Sequence, residues 1–162
     1  NKNIKEFIKK SKKEKKASYK EMVELFTQEK LTKEQVSKVY SELEKNGVEY
    51  KDFGCHGESV DYPIYARKVG QAILDGECEK GILICGTGIG ISIAANKMPG
   101  IRCALCSDCF SAEMTRVHND SNIIALGGRV VGPELAIKMV DIWLNTPFSN
   151  DERHIRRINM IE

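Results

Sequence analysis

A short apolar segment that ends in a cysteine and a glycine-rich turn constrains the fold more than any other feature. Residues 81–85 read Gly-Ile-Leu-Ile-Cys, and Gly86, Gly88 and Gly90 follow at alternate positions. A continuous apolar run of this length is typical of a strand that is buried on both faces. Such strands occur in parallel sheets that carry helices on both sides. The segment therefore predicts an α/β fold.

The same alternation of strands and helices continues through the rest of the chain. Besides 81–85, apolar runs predict strands over Val48–Phe53, Ile101–Cys106 and Asn122–Leu126. Helical spacing of apolar residues predicts helices over Pro63–Leu74, Gly90–Lys97, Ser107–Val117 and Pro133–Leu144, and a helical tail over 151–161. This order predicts a Rossmann-like parallel sheet with helices on both faces. Because ligands of such sheets bind at the carboxyl ends of the strands, we expect the functional residues there.

The N-terminal segment has a different composition. Residues 1–50 contain thirteen lysines and nine glutamates but neither Cys nor Pro, and Gly47 is their single glycine. Ser18 with Glu21, and Thr32 with Gln35, form two capping-box patterns that precede amphipathic helices. We predict a small helical module over residues 1–47 and an α/β domain over residues 48–162. Functional chemistry is expected in the second, which holds every cysteine and histidine.

Composition and charge exclude several classes of protein. With 41% hydrophobic and 30% charged residues, the chain has the balance of a soluble globular protein. No apolar run approaches the roughly 18 residues that span a bilayer, and the lysine-rich first twenty residues lack the apolar run expected of an export signal. The net charge of +2 is too small to indicate nucleic-acid binding. The six cysteines are therefore interpreted as reduced thiols of a cytoplasmic protein. The chain begins at Asn1, which is consistent with a fragment or a processed chain.

Cys85 is the strongest candidate for a reactive residue. The glycines after it allow backbone N–H groups to approach an anion closely, and the following helix adds positive potential at its N-terminus. The same field favours a thiolate, which can act as a base or a nucleophile. The alternative is a tight strand–helix turn in which the cysteine only packs.

Two further groups of polar residues could take part. His118 and Asn119 lie between a predicted helix and the strand that starts at Asn122. Arg153 and Arg157 are spaced i, i+4, so they share one face of a helix and could bind a phosphate group. In both cases a solvated surface position is the alternative interpretation.

The cysteine spacing also raises the possibility of a metal site. Cys103, Cys106 and Cys109 form a C-x₂-C-x₂-C pattern, which occurs in iron–sulfur proteins. However, Cys103 and Cys106 fall within a predicted strand, where residues three apart face opposite ways. His56 beside Cys55 has no second pair of ligands for zinc. We therefore predict no metal site.

Two stretches of the chain resemble known families. The N-terminal stretch resembles the N-terminal region of bacterial primary sigma factors, over residues 18–22, 31–36 and 43–49. The remainder resembles the type B ribose-5-phosphate isomerase and galactose-6-phosphate isomerase family. The second resemblance covers about two-thirds of the chain and rests on residues 52–54, 59–63, 81–90, 94–97, 100–102, 110–113, 118–120, 125–129 and 153–154.

The second resemblance implies an activity and roles for matched residues. It implies an aldose–ketose isomerase of a sugar phosphate that uses no cofactor, with ribose 5-phosphate of the pentose phosphate pathway as the expected substrate. Cys85 would move the proton of an enediolate, and His118 would assist ring opening. The remaining implied positions are Thr87 and the backbone of Gly86, Gly88 and Gly90 at the oxyanion, Asn119 at the hydroxyls, and Arg153 and Arg157 at the phosphate. The family also implies a homodimer with each site between two subunits.

One part of the family pattern is missing from this sequence. Family members open with a strand and an Asp-His-Gly-type motif, and residues 1–50 contain neither. The alternative function is therefore a non-catalytic module that binds sugar phosphates and serves a regulatory role. The sequence names no protein partner for residues 1–47.

Overall fold

The computed structural model describes residues 51–54 and 60–162. The compact unit that begins at Phe53 consists, within those residues, of a short sheet and the helices around it. In chain order these elements are α1 (Tyr62–Leu74), β1 (Gly81–Cys85), α2 (Ile89–Ala95), β2 (Cys103–Leu105), α3 (Cys109–Asn119), β3 (Ile123–Gly127), α4 (Pro133–Asn145) and α5 (Glu152–Ile158).

The described strands form a parallel sheet in the order β1-β3-β2. Gly81 of β1 lies opposite Ile123 of β3, and Cys85 lies opposite Gly127. Cys103 of β2 also lies opposite Ile123. All strands therefore start at one edge and end at the other. We call these the amino edge, marked by Gly81, and the carboxyl edge, marked by Cys85.

The central strand is buried on both faces, as its sequence predicts. Ile123 and Ala125 face a core formed with α1 and α2, which also contains Leu83 and Ile91. Alternate residues point to opposite faces of a strand, so the buried side chain of Ile124 faces the other helical layer. There α3 packs against α4, and α4 contacts β3. The predicted Rossmann-like arrangement, with helices on both faces of a parallel sheet, is confirmed.

Local signals place the element boundaries close to those predicted. α3 begins after Asp108, whose carboxylate accepts the N–H of Ser111 at 2.7 Å and so satisfies a free donor of the first turn. α1 and α4 each carry proline in their first turn, where no N–H is needed. Strands β1 and β3 match the predicted strands to within one residue, whereas β2 is shorter than predicted.

Some predictions fail or lie outside the described residues. The strand predicted over Val48–Phe53 is absent over residues 51–53, where Lys51 and Asp52 are exposed. Charged residues, and Asp above all, fit a pleated half-buried surface poorly. The N-terminal helical module over residues 1–47 lies outside the described residues, as does His56. Among the described helices, none combines the length and apolarity needed to cross a membrane.

Candidate active site

Cys85 is the last residue of β1, at the carboxyl edge of the sheet. Its side chain is half-buried, and its Sγ accepts the backbone N–H of Gly88 at 3.2 Å. An N–H donor at this position stabilises negative charge on the sulfur. The turn thus directs the N–H of Gly88 at the thiol itself, whereas the family resemblance implied that this N–H would bind a substrate oxyanion.

Gly88 makes this turn possible for two reasons. Its φ of 77° lies in the left-handed region, which residues with a Cβ rarely adopt. A Cβ at Gly88 would also lie 2.5 Å from Cδ1 of Leu105 and 2.9 Å from the carbonyl carbon of Leu126. Strand β3 therefore passes directly beneath the turn, and only glycine fits there.

The other residues of the turn are held by neighbouring segments. Thr87 is exposed, and its Oγ1 accepts the N–H of Ile89 at 3.3 Å. A Cβ at Gly90 would collide with the hydroxyl of Tyr62 at the start of α1. Because Gly90 has no Cβ, the Tyr62 ring can pack directly against the turn.

Arg129 adds a positive charge that the sequence analysis did not single out. Its N–H donates to the carbonyl of Gly86 at 3.0 Å. A Cβ on Gly86 would meet the guanidinium Cζ of Arg129 at 3.5 Å, so the exposed side chain lies against this glycine. The signal in the sequence is the Gly-Gly-Arg at the end of β3. Because the carboxyl ends of adjacent parallel strands lie at one edge of the sheet, this segment is expected near Cys85.

His118 and Asn119 occupy the last turn of α3 and lie at the amino edge. The segment after them leads into β3, and the carbonyl of Asn122 accepts the N–H of Gly81 at 2.9 Å, at the start of β1. His118 packs against His154 of α5, with ring centroids 4.5 Å apart. The candidate ring-opening residue therefore contacts the helix that carries the two candidate phosphate-binding arginines.

His154 is buried between these elements and was not among the predicted site residues. Its side chain is 3% exposed, and its Nδ1 lies 2.7 Å from the hydroxyl of Ser149. Burial lowers the pKa of His154 below its ordinary value, and the positive charge of Arg153 lowers it further. His154 is therefore mostly neutral near pH 7.

Arg153 and Arg157 lie one turn apart on α5, as predicted. Both are exposed, so both guanidinium groups are available to an anion. Arg153 Nε lies 3.6 Å from Oδ2 of Asp151, a weak exposed pair that leaves most of its donors free for another partner.

The predicted site residues thus form two groups. Cys85, with Thr87 and the glycines, lies at the carboxyl edge, while His118 and α5 lie at the amino edge. A strand of five residues such as β1 separates the two edges by about 13 Å, at 3.3 Å per residue. The expectation that every site residue lies at the carboxyl ends of the strands is therefore wrong for His118 and Asn119, because α3 runs antiparallel to the strands and ends where β3 begins.

Two other thiols, Cys103 in β2 and Cys106 just after it, are buried. Burial raises the pKa of Cys103 to about 12 and that of Cys106 to about 11. Nearby Cys106 adds to the shift of Cys103, and Asp108 adds to that of Cys106. Both stay protonated at neutral pH and serve as core side chains.

A family model described as Ribose/Galactose Isomerase matches residues 25–161. The chain belongs to this isomerase family. Ribose-5-phosphate isomerase B of Escherichia coli is 49% identical over 124 residues, which cover 76% of this chain and 83% of that protein. The family match also extends into the segment predicted as an N-terminal module.

Two further isomerases show how far the likeness reaches. The solved structure of ribose-5-phosphate isomerase B of Clostridium thermocellum is 54% identical, with a TM-score of 0.69 over 78% of this chain and 85% of that one. A D-erythrulose-4-phosphate isomerase of Pectobacterium atrosepticum is 45% identical over 108 residues, or 65% of this chain and 71% of that protein. The chain is therefore a sugar phosphate isomerase. The names of its relatives include more than one sugar phosphate as substrate.

Proposed function

We propose that the chain interconverts ribose 5-phosphate and ribulose 5-phosphate, a step of the pentose phosphate pathway, through an enediolate. The observation that carries this proposal is Cys85, a half-buried thiol with the N–H of Gly88 at 3.2 Å from its sulfur. A thiolate there can take the proton from C2 of the open-chain aldose and return it to C1 of the enediolate. The proton of the C2 hydroxyl moves to O1, so that the carbonyl oxygen at C1 becomes a hydroxyl and the ketose carbonyl forms at C2.

The groups around the sulfur suit the charge that develops on the substrate. The proton transfer places negative charge on the substrate oxygens, and N–H donors or cations that face this charge lower the barrier. Thr87 and the backbone N–H groups of Gly86 and Gly90 belong to the same turn as the thiol, and Arg129 lies against Gly86. In this proposal they stabilise the enediolate, while the N–H of Gly88 stabilises the thiolate.

The amino-edge residues take the other roles. His118 moves the proton that opens the furanose ring, and Asn119 binds the sugar hydroxyls. Arg153 and Arg157 bind the phosphate group through charge-assisted hydrogen bonds. Neutral His154 packs against His118 and adds no charge beside it.

We further propose a homodimer in which each site combines the carboxyl edge of one copy with the amino edge of the other. Support comes from the separation of about 13 Å between the two groups, which a single pentose phosphate does not bridge while reacting at both. Large apolar side chains also surround the carboxyl edge in exposed positions. These are Ile89, Leu105, Phe110 and Val130, of which Phe110 is 71% exposed. A concentration of exposed large apolar side chains at one edge of the sheet favours an interaction site there.

The first experiment measures turnover of ribose 5-phosphate by the purified chain. D-Erythrulose 4-phosphate, a hexose 6-phosphate and unphosphorylated ribose complete the panel, and calorimetry measures binding in parallel. We expect turnover of ribose 5-phosphate and none of ribose. A preference for another phosphate would redirect the substrate assignment, and binding without turnover of any of them would favour the non-catalytic regulatory module.

A second experiment tests the shared site. Cys85→Ser and His118→Asn each inactivate a different half of it, so each variant alone should be inactive. Unfolding and refolding a one-to-one mixture should restore about a quarter of the wild-type activity, because half of the dimers are mixed and each holds one intact site. A mixture as inactive as its components would show that the site does not combine two copies.

A further inference from the structure

Asp120 ends α3 in a backbone conformation that few residues adopt. It follows Asn119 directly, has φ 44° and ψ 47°, and donates its N–H to the carbonyl of Arg116 at 3.2 Å. The backbone of a residue other than glycine is strained in this left-handed region and keeps the conformation only where other contacts fix it. The placement of His118 and Asn119 therefore depends on what holds Asp120.

Two arginines from different elements hold the Asp120 carboxylate, one at each oxygen. Arg116, one turn earlier in α3, binds Oδ1 at 2.8 Å and the carbonyl of Ser121 at 2.6 Å. Arg102, which directly precedes β2, binds Oδ2 at 3.3 Å. Arg116 is itself buried and completes the core, whereas Arg102 ties α3 to a separate segment of the chain.

Arg102 also binds the free carbonyl groups at the end of the helix. Its Nε donates to the carbonyls of Asn119 at 3.0 Å and Asp120 at 3.2 Å, and its Nη2 donates to the carbonyl of Asp120 at 3.0 Å. A cation at a helix C-terminus is favourable because it satisfies these carbonyls and opposes the negative end of the helix dipole. Its remaining nitrogen, Nη1, pairs with Glu162 at 2.5 Å.

The backbone of Arg102 is fixed independently of its side chain. Its N–H donates to Oδ1 of Asn122 at 2.9 Å, and its carbonyl accepts the N–H of Asn122 at 3.1 Å. The guanidinium group therefore extends from a rigid position at the amino edge. It links that edge to the two residues that the proposed function assigns to ring opening and hydroxyl binding.

We propose that Arg102 is a positioning residue, which fixes the His118–Asn119 turn in its productive orientation without touching the substrate. This inference rests on the proposed function for its catalytic consequence. A displacement of about 1 Å at a reacting group can reduce turnover by about a hundredfold. The Arg102 guanidinium donates to the carbonyls of Asn119 and Asp120 and to the Asp120 carboxylate, and these hydrogen bonds oppose such a displacement.

The test begins with Arg102→Gln, which keeps a donor but loses the charge and the fork. We expect turnover to fall about tenfold to a hundredfold while the protein stays folded by circular dichroism. Arg102→Lys keeps the charge as a single point donor and should recover part of the loss. Two controls should change turnover by less than about twofold. They are Glu162→Gln, which removes the charge that pairs with Arg102 but keeps an acceptor for Arg102 and for the N–H of Gly100, and Arg67→Gln, on the exposed face of α1.

A double-mutant cycle separates positioning from general stability. In a chain that already carries Asn119→Ala, Arg102→Gln should reduce turnover by a smaller factor than it does in the wild-type chain, because residues that act as a unit are not additive. An equal loss in both backgrounds would overturn the proposal and leave Arg102 with a structural role.

A nuclear magnetic resonance measurement gives a result that needs no activity. The chain has three histidines, so the ring signals of His118 are readily assigned. Arg102→Gln should shift the His118 ring signals and the Asn119 amide signal, whereas Glu162→Gln should not. Unchanged signals in Arg102→Gln would overturn the proposal. A wild-type chain that isomerises no sugar phosphate would overturn the proposed function alone, and the shifts would still decide whether Arg102 orients this turn.

Discussion

The two edges of the sheet present their functional residues in opposite ways. At the carboxyl edge, Cys85 and the glycine turn form one continuous segment, shaped by the backbone and by close contact with β3. At the amino edge, His118 and Asn119 depend on ion pairs and hydrogen bonds from segments far away in the chain, such as Arg102. The first arrangement is local in sequence and intolerant of added volume, while the second is long-range and sensitive to charge.

We expect the largest effect at the carboxyl edge from removal of the Cys85 thiol. Cys85→Ser keeps an acceptor for the N–H of Gly88, so the turn should remain folded. Turnover should fall at least about a hundredfold, because a hydroxyl is a far weaker base than a thiolate. Initial-rate kinetics with ribose 5-phosphate measure this, with Cys78→Ser as the matched thiol-to-hydroxyl control. A serine variant as active as the wild type would remove Cys85 from the mechanism.

A second change tests the intolerance of the carboxyl edge to volume. Gly88→Ala adds a Cβ against the backbone of β3 and forces a strained φ of 77°. The free energy of unfolding should fall by about 3 kcal/mol, from strain and overpacking together. Urea denaturation measures the difference.

Gly76 provides the matched control for that change. Its φ is also positive, at 73°, but a Cβ there would meet nothing within 4 Å. Gly76→Ala should therefore cost only the strain, about 1 kcal/mol. Equal losses at both glycines would show that crowding by β3 contributes nothing.

The amino edge should respond to charge and to the phosphate of the ligand. Arg153→Ala and Arg157→Ala should each weaken binding of ribose 5-phosphate about tenfold to a hundredfold, the worth of roughly 1.5–3 kcal/mol for a charge-assisted contact. Binding of unphosphorylated ribose should change little. Calorimetric titration of both ligands measures this, and Arg156→Ala, on the same helix, is the control. Equal losses for the two ligands would assign these arginines a structural role.

The smallest effect concerns pH and the buried His154. Because its pKa in the folded protein is lowered, the unfolded chain binds the proton more readily. The contribution of neutral His154 to the free energy of unfolding is therefore fully present above its pKa in the unfolded chain, near 6.5. It decreases as the pH falls through that pKa towards the lower pKa of the folded protein. Urea denaturation at pH 7.5 and 5.5 should show a loss on acidification in the wild type and a smaller loss in His154→Asn. An identical loss in both would show that another group causes the pH dependence.

The difference between the edges also explains what the sequence could predict. The run 81–90 predicted a buried strand, a turn and a helix because apolar residues and glycines encode these locally, and the structure agrees within one residue. His118 was also a candidate, between a predicted helix and the strand that starts at Asn122, but the general rule that ligands bind at the carboxyl ends of strands did not hold for it. Arg102 and His154 lie in stretches that carry the family resemblance, but their spacing did not indicate their contacts, since Arg102 binds Asn119, 17 residues away, and His154 packs against His118.

The chain's single tryptophan lies among the residues that hold the amino edge. Trp143 is fully buried, its Nε1 donates to Oγ of Ser121 at 2.8 Å, and the guanidinium of Arg116 lies 6.0 Å from its ring centroid. Indole emission depends on polarity and on nearby charge, so this one fluorophore is a built-in optical reporter of the residues next to Asp120. No label is needed to follow that region in real time. A change confined to the Cys85 turn should leave the emission maximum of Trp143 unaltered.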